Sequence, residues 1–490
     1  MNGRGSARVP HCSTLLDGDP AMSRYRRPAL LTFMTGVLLA HGMAHARPDR
    51  PVLLRHATVI DGTGSAPQPD TDILIRDGHI AATGHNLPSA AHARTIDLSG
   101  QTVLPGLISD HSHVGQVSGT QNGEVNYTRA NILSELSQYE HYGVLTIVAL
   151  GLNRSPLFDD LRREQHAGLN PGADLFGVDQ GIGAPDGVPP QNMFHLGADQ
   201  VFRPTTPDEA RAAVNKMADE GTDLIKLWVD DFRNGVPGAH GLPKMRPEIY
   251  RAAITQAHLR GKRVAAHIHD LSDARALVAA GVDILAHGVR DRPVDATLIH
   301  AMTQQGTGYI ATLDLDEANY IFAEHPEWLD DPFLSYGLSP ALRQQFADPA
   351  WRQKVLAAPL TAASRKALAM NMRNLLTLYH AGIPIGFGTD SGATPTRIPG
   401  FAEHREFRLS VMAGLTPLQA ITLATGDAAH LMQLTDRGTI APGQLADLLV
   451  VSGNPNQDPA ALDHIQQVWH RGHQVPGPLA GQDRPTARPK

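Results

Sequence analysis

Six side chains with metal-ligand chemistry recur at comparable positions along the chain. His111 and His113 stand in Asp110-His-Ser-His113, and Lys226 in Ile225-Lys-Leu-Trp228. His267 stands in Ala265-Ala-His267, His287 in Leu285-Ala-His-Gly288, and Asp390 in Gly388-Thr-Asp-Ser391. Each closes a short apolar run that reads as a buried strand. Two imidazoles two residues apart on a strand project from the same face and can chelate one divalent ion. Lys226 is the unusual member, because an unpaired ammonium inside an apolar strand is costly to bury. Either it has an ion-pair partner, or its pKa is low and its amine takes up carbon dioxide. The resulting carbamate has two oxygens and can bridge two metal ions. Alone, Lys226 would read as half of an ion pair; beside histidines at other strand ends, the carbamate is favoured. Asp390 can ligate a metal and accept a proton from water, although an Asp before a loop can also be an ordinary helix cap. His269, on the same face as His267, and Arg290, just past His287, are candidates for the pocket wall. Tyr309, Asp314 and Asp316 are further candidates near the next strand. Arg290 could meet a substrate carboxylate.

The elements that must position these groups follow from the pattern between them. Eight strand candidates lie at 103–110, 144–150, 173–179, 224–229, 263–268, 284–287, 308–313 and 383–389, most of them followed by an amphipathic helical stretch. Thr206-Pro207 starts one helix with a cap and a first-turn proline, and Gly281 stops another. This alternation predicts an α/β fold of the (β/α)8 TIM type, which gathers residues from the ends of separate strands into one site. An open doubly wound sheet is the alternative, but no glycine-rich nucleotide loop follows the first strand. Residues 51–104 and 437–475 alternate with period two between turn signals. They predict one small β-sandwich built from both ends of the chain. The expected boundaries are 47–104 and 433–478 for the sandwich and 105–432 for the barrel. Two insertions, 180–204 and 314–370, interrupt the pattern; the second is expected to be helical and lid-like.

Composition narrows the class. A chain of 490 residues with 42% hydrophobic and 19% charged residues has a large core rather than a disordered body. The net charge of −7, without a basic run, argues against nucleic acid or an anionic membrane as partner. The one cysteine is Cys12, so a thiolate metal site beyond the leader is excluded. That leader spans 1–46. Met22-Ser-Arg-Tyr-Arg-Arg27 is a basic start, residues 29–40 are apolar, and Ala44-His-Ala46 suits cleavage. Met22 is the expected true start and Arg47 the first mature residue. The apolar run is too short to span a bilayer, so an exported, periplasmic or secreted protein without a stable membrane anchor is expected. Both the general and the twin-arginine route fit. Residues 479–490 read as a disordered tail. A homo-oligomer is compatible with the sequence.

The motifs resemble those of the amidohydrolase superfamily, in the branch of imidazolonepropionase-like proteins and metal-dependent Xaa-Pro or Xaa-Arg dipeptidases. The resemblance rests on Leu104-Pro-Gly-Leu-Ile-Ser-Asp-His-Ser-His113, on 143–151, on Gly414-Leu-Thr-Pro-Leu-Gln-Ala-Ile421, and on 438–450. It covers nearly all of the chain beyond the leader. It departs at Val148-Ala-Leu150, where relatives often carry a charged pair. The resemblance implies two divalent ions of the zinc type, held by His111, His113, Lys226, His267, His287 and Asp390. His111, His113 and Asp390 would hold one ion, His267 and His287 the other, with carbamylated Lys226 as the bridge and Asp390 as the catalytic proton carrier. A lysine on the fourth strand implies dipeptidase-like members rather than imidazolonepropionases, which are mononuclear. The expected activity is hydrolysis of a C–N bond in a small substrate, a dipeptide or an N-acyl amino acid. Deamination, or lactone or phosphotriester hydrolysis, would use the same site. A degenerate metal carrier is a third possibility, disfavoured because all six ligand types are present.

Overall fold

Period-two alternation in the terminal segments produces a sheet with both faces buried. In the computed structural model, which describes residues 50–233 and 241–479, one eight-stranded sheet takes strands from both ends of the chain. Its order is His473–Val475, Ile465–His470, Leu448–Ser452, Gln101–Pro105, Val52–Val59, Gln68–Arg76 and His79–Gly84, with Arg94–Asp97 also pairing Val52–Val59. Leu448, Val450 and Val103 enter a small core with Val52, Leu54 and Trp469, while Leu449, Val451 and Leu104 enter the main core. The expected joint assembly of the two ends is therefore present. The expected sandwich is not: the described residues form one sheet rather than two facing ones, because its second face packs into the main core instead of against a partner sheet. The expected leader, the start at Met22 and all but the first residue of the expected tail lie outside the described residues.

Eight parallel strands carry the site: β1 (Leu107–Ser112), β2 (Val144–Leu150), β3 (Asp174–Val178), β4 (Ile225–Trp228), β5 (Val264–His267), β6 (Ile284–Ala286), β7 (Gly308–Ile310) and β8 (Ile385–Gly386). They form two arcs, β3-β2-β1 and β4-β5-β6-β7-β8, an α/β arrangement consistent with a TIM-type barrel. The arcs meet at both seams through single parallel bridges, Ser112 to Ser391 and Ile182 to Leu227. The His113 amide donates to the Ser391 carbonyl at 2.7 Å, and the Ile182 amide to the Lys226 carbonyl at 2.8 Å. The expected first strand, 103–110, divides at Gly106. Residues up to Pro105 pair with Leu448–Ser452 in the terminal sheet, and β1 begins at Leu107. Proline has no amide for a continuous ladder, and a Cβ on Gly106 would press on the Leu145 side chain at 2.5 Å.

The helices start where local chemistry demands. Pro207–Glu220 opens with a Thr206–Glu209 capping box and proline in the first turn, and it ends at Gly221 with φ 94°. Between β7 and β8 lie six α-helices, Asp314–Glu317, Ile321–Glu324, Pro332–Tyr336, Pro340–Ala347, Pro349–Ala357 and Pro359–His380, and one 3-10 turn, Pro326–Asp330. Three of them start with proline behind a capping Asp331, Ser339 or Asp348. The expected helical character of 314–370 is thus built from repeated Asp-Pro and Ser-Pro starts.

Candidate metal centre and substrate cavity

The six residues singled out by type converge at the strand ends, and all are buried. Asp390 Oδ1 lies 3.0 Å from His113 Nε2 and 3.3 Å from His111 Nε2. Lys226 Nζ lies 3.3 Å from His111 Nε2. The His287 ring is 4.4 Å from that of His111 and 4.3 Å from that of His267, centroid to centroid. Ligand atoms of His111, His287 and Asp390 all fall within 4.8 Å of one another.

Backbone geometry at these ends is unusual. His287 (φ 70°), Thr312 (φ 49°) and Asp390 (φ 62°) are left-handed, which non-glycine residues rarely adopt. Such conformations cluster where surrounding structure over-determines a site. The rings are also held from behind. His113 Nδ1 is 3.1 Å from the Gly151 carbonyl, and His287 Nδ1 is 3.0 Å from Thr312 Oγ1. Glu403 supports the Asp390 turn, accepting from Thr389 Oγ1 (2.6 Å), Ser391 Oγ (2.7 Å) and Ser109 Oγ (2.9 Å).

Electrostatics leave this donor set open to a cation. Burial, joined by Lys226, drives the pKa of His111 well below the usual imidazole range. Burial and the neighbouring His267 do the same for His287. These rings are neutral and their lone pairs are available. Burial alone would raise Asp390, but Arg397 and the two histidines outweigh it and hold the carboxyl well below its usual range. Burial brings the Lys226 ammonium down to about 7. His111 Nδ1 is buried without a hydrogen-bond partner. Neutral imidazoles, an ionised carboxylate and a part-neutral lysine facing one point fit a divalent cation.

A cavity of ≈ 580 Å³ opens on this cluster. His269 and Arg290 line it, as does Asp316. Tyr309 does not. Its hydroxyl accepts from the Val289 amide at 2.8 Å and donates to Asn371 at 3.4 Å, so it braces β7 against Pro359–His380. Asp314 is likewise buried away from the cavity, beside Glu406, whose carboxylate accepts its amide at 2.8 Å. Strand alternation turns Tyr309 outward, whereas the cavity is lined by the last residues of other strands, Trp228 and His267, by loop residues and by helix Pro359–His380.

Sequence reasoning missed Asp230, Arg397 and the aromatic residues of the cavity. Asp230 Oδ2 lies 3.1 Å from His267 Nε2. Its signal was readable: Trp228-Val-Asp-Asp231 places two carboxylates immediately after a buried strand. Arg397 donates to Asp390 Oδ2. No periodicity marks it, because it sits in a loop seven residues on.

Comparison with known proteins agrees with this geometry. Residues 102–475 match the description "Amidohydrolase family". An uncharacterised protein of Mycobacterium bovis is 27% identical, with 84% of this chain and 94% of that protein covered. An imidazolonepropionase of Deinococcus deserti is 25% identical, covering 83% of this chain and 92% of its own length. The solved structure of a Xaa-Pro dipeptidase with bound methionine in its active site superposes with TM-score 0.68 at 25% identity, over 87% of this chain and 100% of that one. Members of this family are typically metal-dependent, and the cluster of two histidines and an aspartate could hold an ion. The chain belongs to the amidohydrolase family and is a hydrolase acting on carbon–nitrogen bonds.

Proposed function

We propose that the chain is an exported, binuclear metal-dependent amidohydrolase that cuts an amide bond in a small carboxylate-bearing substrate, a dipeptide or an N-acyl amino acid. In this reading the two strand arcs close into a (β/α)8 barrel. His111, His113 and Asp390 would hold one ion, His267 and His287 the second, and Lys226, carbamylated, would join them. When bound, the ions would polarise the amide carbonyl and lower the pKa of water. The chain's own residues do the rest. Asp390, ionised and fixed by Glu403 through its neighbours, takes a proton and delivers it to the leaving nitrogen. Asp230 orients the His267 ring, and Thr312 that of His287, so that each presents one nitrogen to the centre.

The observation that carries this reading is Lys226, fully buried within β4, 3.3 Å from His111, with its pKa brought to about 7. An amine with that pKa is substantially neutral near pH 7 and reactive toward carbon dioxide. The test is metal analysis of wild-type protein and Lys226→Ala, with apoprotein reconstituted with and without bicarbonate. It is paired with a hydrolysis screen of Xaa-Pro, Xaa-Arg and N-acyl amino acids on the same samples. Two tightly bound ions in the alanine variant would remove the carbamate bridge. Release of ammonia alone would replace amide cleavage by deamination. Export is tested by the terminus of protein recovered outside the cytoplasm, expected near Arg47; an intact Met22 there excludes cleavage.

A further inference from the structure

His267 and His287, the ligands assigned above to the second ion, both lean on the segment inserted after β7. His287 Nδ1 is 3.0 Å from Thr312 Oγ1, and Thr312 stands just before the first insertion helix, Asp314–Glu317. His267 reaches the same helix through Arg290. The Arg290 amide donates to the His269 carbonyl at 2.9 Å, and its Nη2 to the Ile268 carbonyl at 3.5 Å. Its Nη1 lies 3.3 Å from Asp316 Oδ1, and the two side chains are 7% and 6% exposed. One residue therefore ties together the backbone after β5, the loop after β6 and the insertion. His113 is placed differently: its ring and its amide meet the carbonyls of Gly151 and Ser391, outside the insertion.

A ligand ring is fixed by the partner of its non-ligating nitrogen and by the backbone that carries it. Asp230 supplies the first for His267. Its Oδ1 accepts from the amides of Asp231 (2.7 Å) and Phe232 (3.2 Å), and its Oδ2 lies 3.1 Å from His267 Nε2. A carboxylate there makes Nε2 the donor and leaves the lone pair on Nδ1. Arg290 supplies the second. It holds the carbonyls of both residues that follow His267, and its charge is felt by Asp230 and by the His267 ring. A guanidinium buried without an anion is costly, so Asp316 is what keeps Arg290 in this place.

Building on the two-ion reading above, we infer that Arg290 and Asp316 are positioning residues for the second ion. Asp316, on the insertion, fixes Arg290, and Arg290 fixes the turn that presents His267. Both act through His267 rather than on the ion. Occupancy of the second ion then depends on how the insertion is seated, and occupancy of the first does not.

The test titrates metal-free full chain with zinc or cobalt(II) alone, in competition with a chromophoric chelator. It compares wild type, Arg290→Met, Asp316→Asn, Asp316→Glu and the double variant Arg290→Met/Asp316→Asn. His267→Ala identifies the ion that His267 holds. Arg290→Met and Asp316→Asn should each weaken that ion by about 10- to 100-fold and leave the other unchanged. The double variant should bind it no more weakly than Arg290→Met, because a residue acting only through Arg290 adds nothing once Arg290 is gone. Asp316→Glu keeps the anion and should restore much of the affinity. Equal weakening of both ions, additive losses in the double variant, or full affinity in Asp316→Asn overturns the inference. If wild-type protein holds a single ion, the two-ion reading fails, and the His267 ring itself decides this one. NMR of the histidine ring nitrogens in metal-free protein, assigned with His267→Gln, should show His267 as one tautomer in wild type and as a mixture in Asp316→Asn. The same single tautomer in both proteins refutes the positioning role.

Discussion

Replacing Glu403 tests whether the support behind Asp390 sets the site's geometry. Glu403 is fully buried on helix Phe401–Ala413. Its carboxylate accepts from Ser109, Thr389 and Ser391 at 2.9, 2.6 and 2.7 Å, and from the Gly400 amide at 2.9 Å. Glu403→Ala strands all four donors. The hydroxyls can turn to each other, since Ser112 Oγ is 2.8 Å from Ser109 Oγ and Tyr139 Oη is 2.6 Å from Ser391 Oγ. The Gly400 amide has no such freedom. Charging each hydroxyl at the low end of a buried unmade bond and the amide in full gives a loss of about 4–6 kcal/mol. That is a large share of a typical stability of roughly 5–15 kcal/mol. Glu403→Gln keeps one acceptor oxygen for the hydroxyls and should cost about half as much. Because Thr389 and Ser391 flank Asp390, metal affinity should also fall, by about 10- to 100-fold in the alanine variant, with partial rescue by glutamine. Urea denaturation and metal titration of the three proteins measure both effects. An alanine variant within about 1 kcal/mol of wild type, with unchanged metal affinity, would refute the bracing argument.

Three further outcomes follow from other parts of the fold. Gly177→Ala places a Cβ 2.1 Å from the Ala149 carbonyl oxygen at φ 140°, so β3 must separate from β2. A loss of about 3 kcal/mol or more is expected in a thermal melt, and an unchanged Tm would contradict it. Glu406 is pushed up by burial to about 8 despite the amides of Leu313 and Asp314. Its folded pKa is above its unfolded value of 4.5, so its contribution is full below 4.5 and is lost as pH rises toward and through about 8. Wild-type stability should therefore decline over this range, and Glu406→Gln should flatten that decline; parallel curves would remove the assignment. Arg437 links the terminal sheet's flank to the strands, donating to Asp174 at 2.8 Å and Thr146 at 2.9 Å. Arg437→Leu should cost about 3 kcal/mol by leaving Asp174 with less compensation, read by urea denaturation, while metal content stays at the wild-type level.

Much of the site could be read before any coordinates. His111, His113, His267, His287 and Asp390 lie at or just past the ends of short apolar strands and Lys226 within one, and parallel strands of one α/β fold deliver their ends to a common face. Their types and positions in the chain were enough to bring them together. Cap chemistry was equally local, as Thr206-Pro207 and Gly281 illustrate. Period two marks the terminal strands but does not say what covers each face, so it suggests a sandwich where one sheet packs into the main core. Proximity to β7 in the chain suggests Tyr309 and Asp314 for the pocket, but Tyr309 within β7 faces the helix Pro359–His380 and Asp314 just beyond it is turned away by packing against Glu406. Asp230 carries a local signal, a carboxylate directly after a buried strand, but Arg397 and Glu403 enter through contacts that no local pattern records; Ser109 meets Glu403 across 294 positions. Sequence alone determined which groups could do the chemistry, because strand ends impose their own geometry. Tertiary structure decided what holds those groups and what surrounds the substrate, because loops and helices acquire their partners only when distant segments pack.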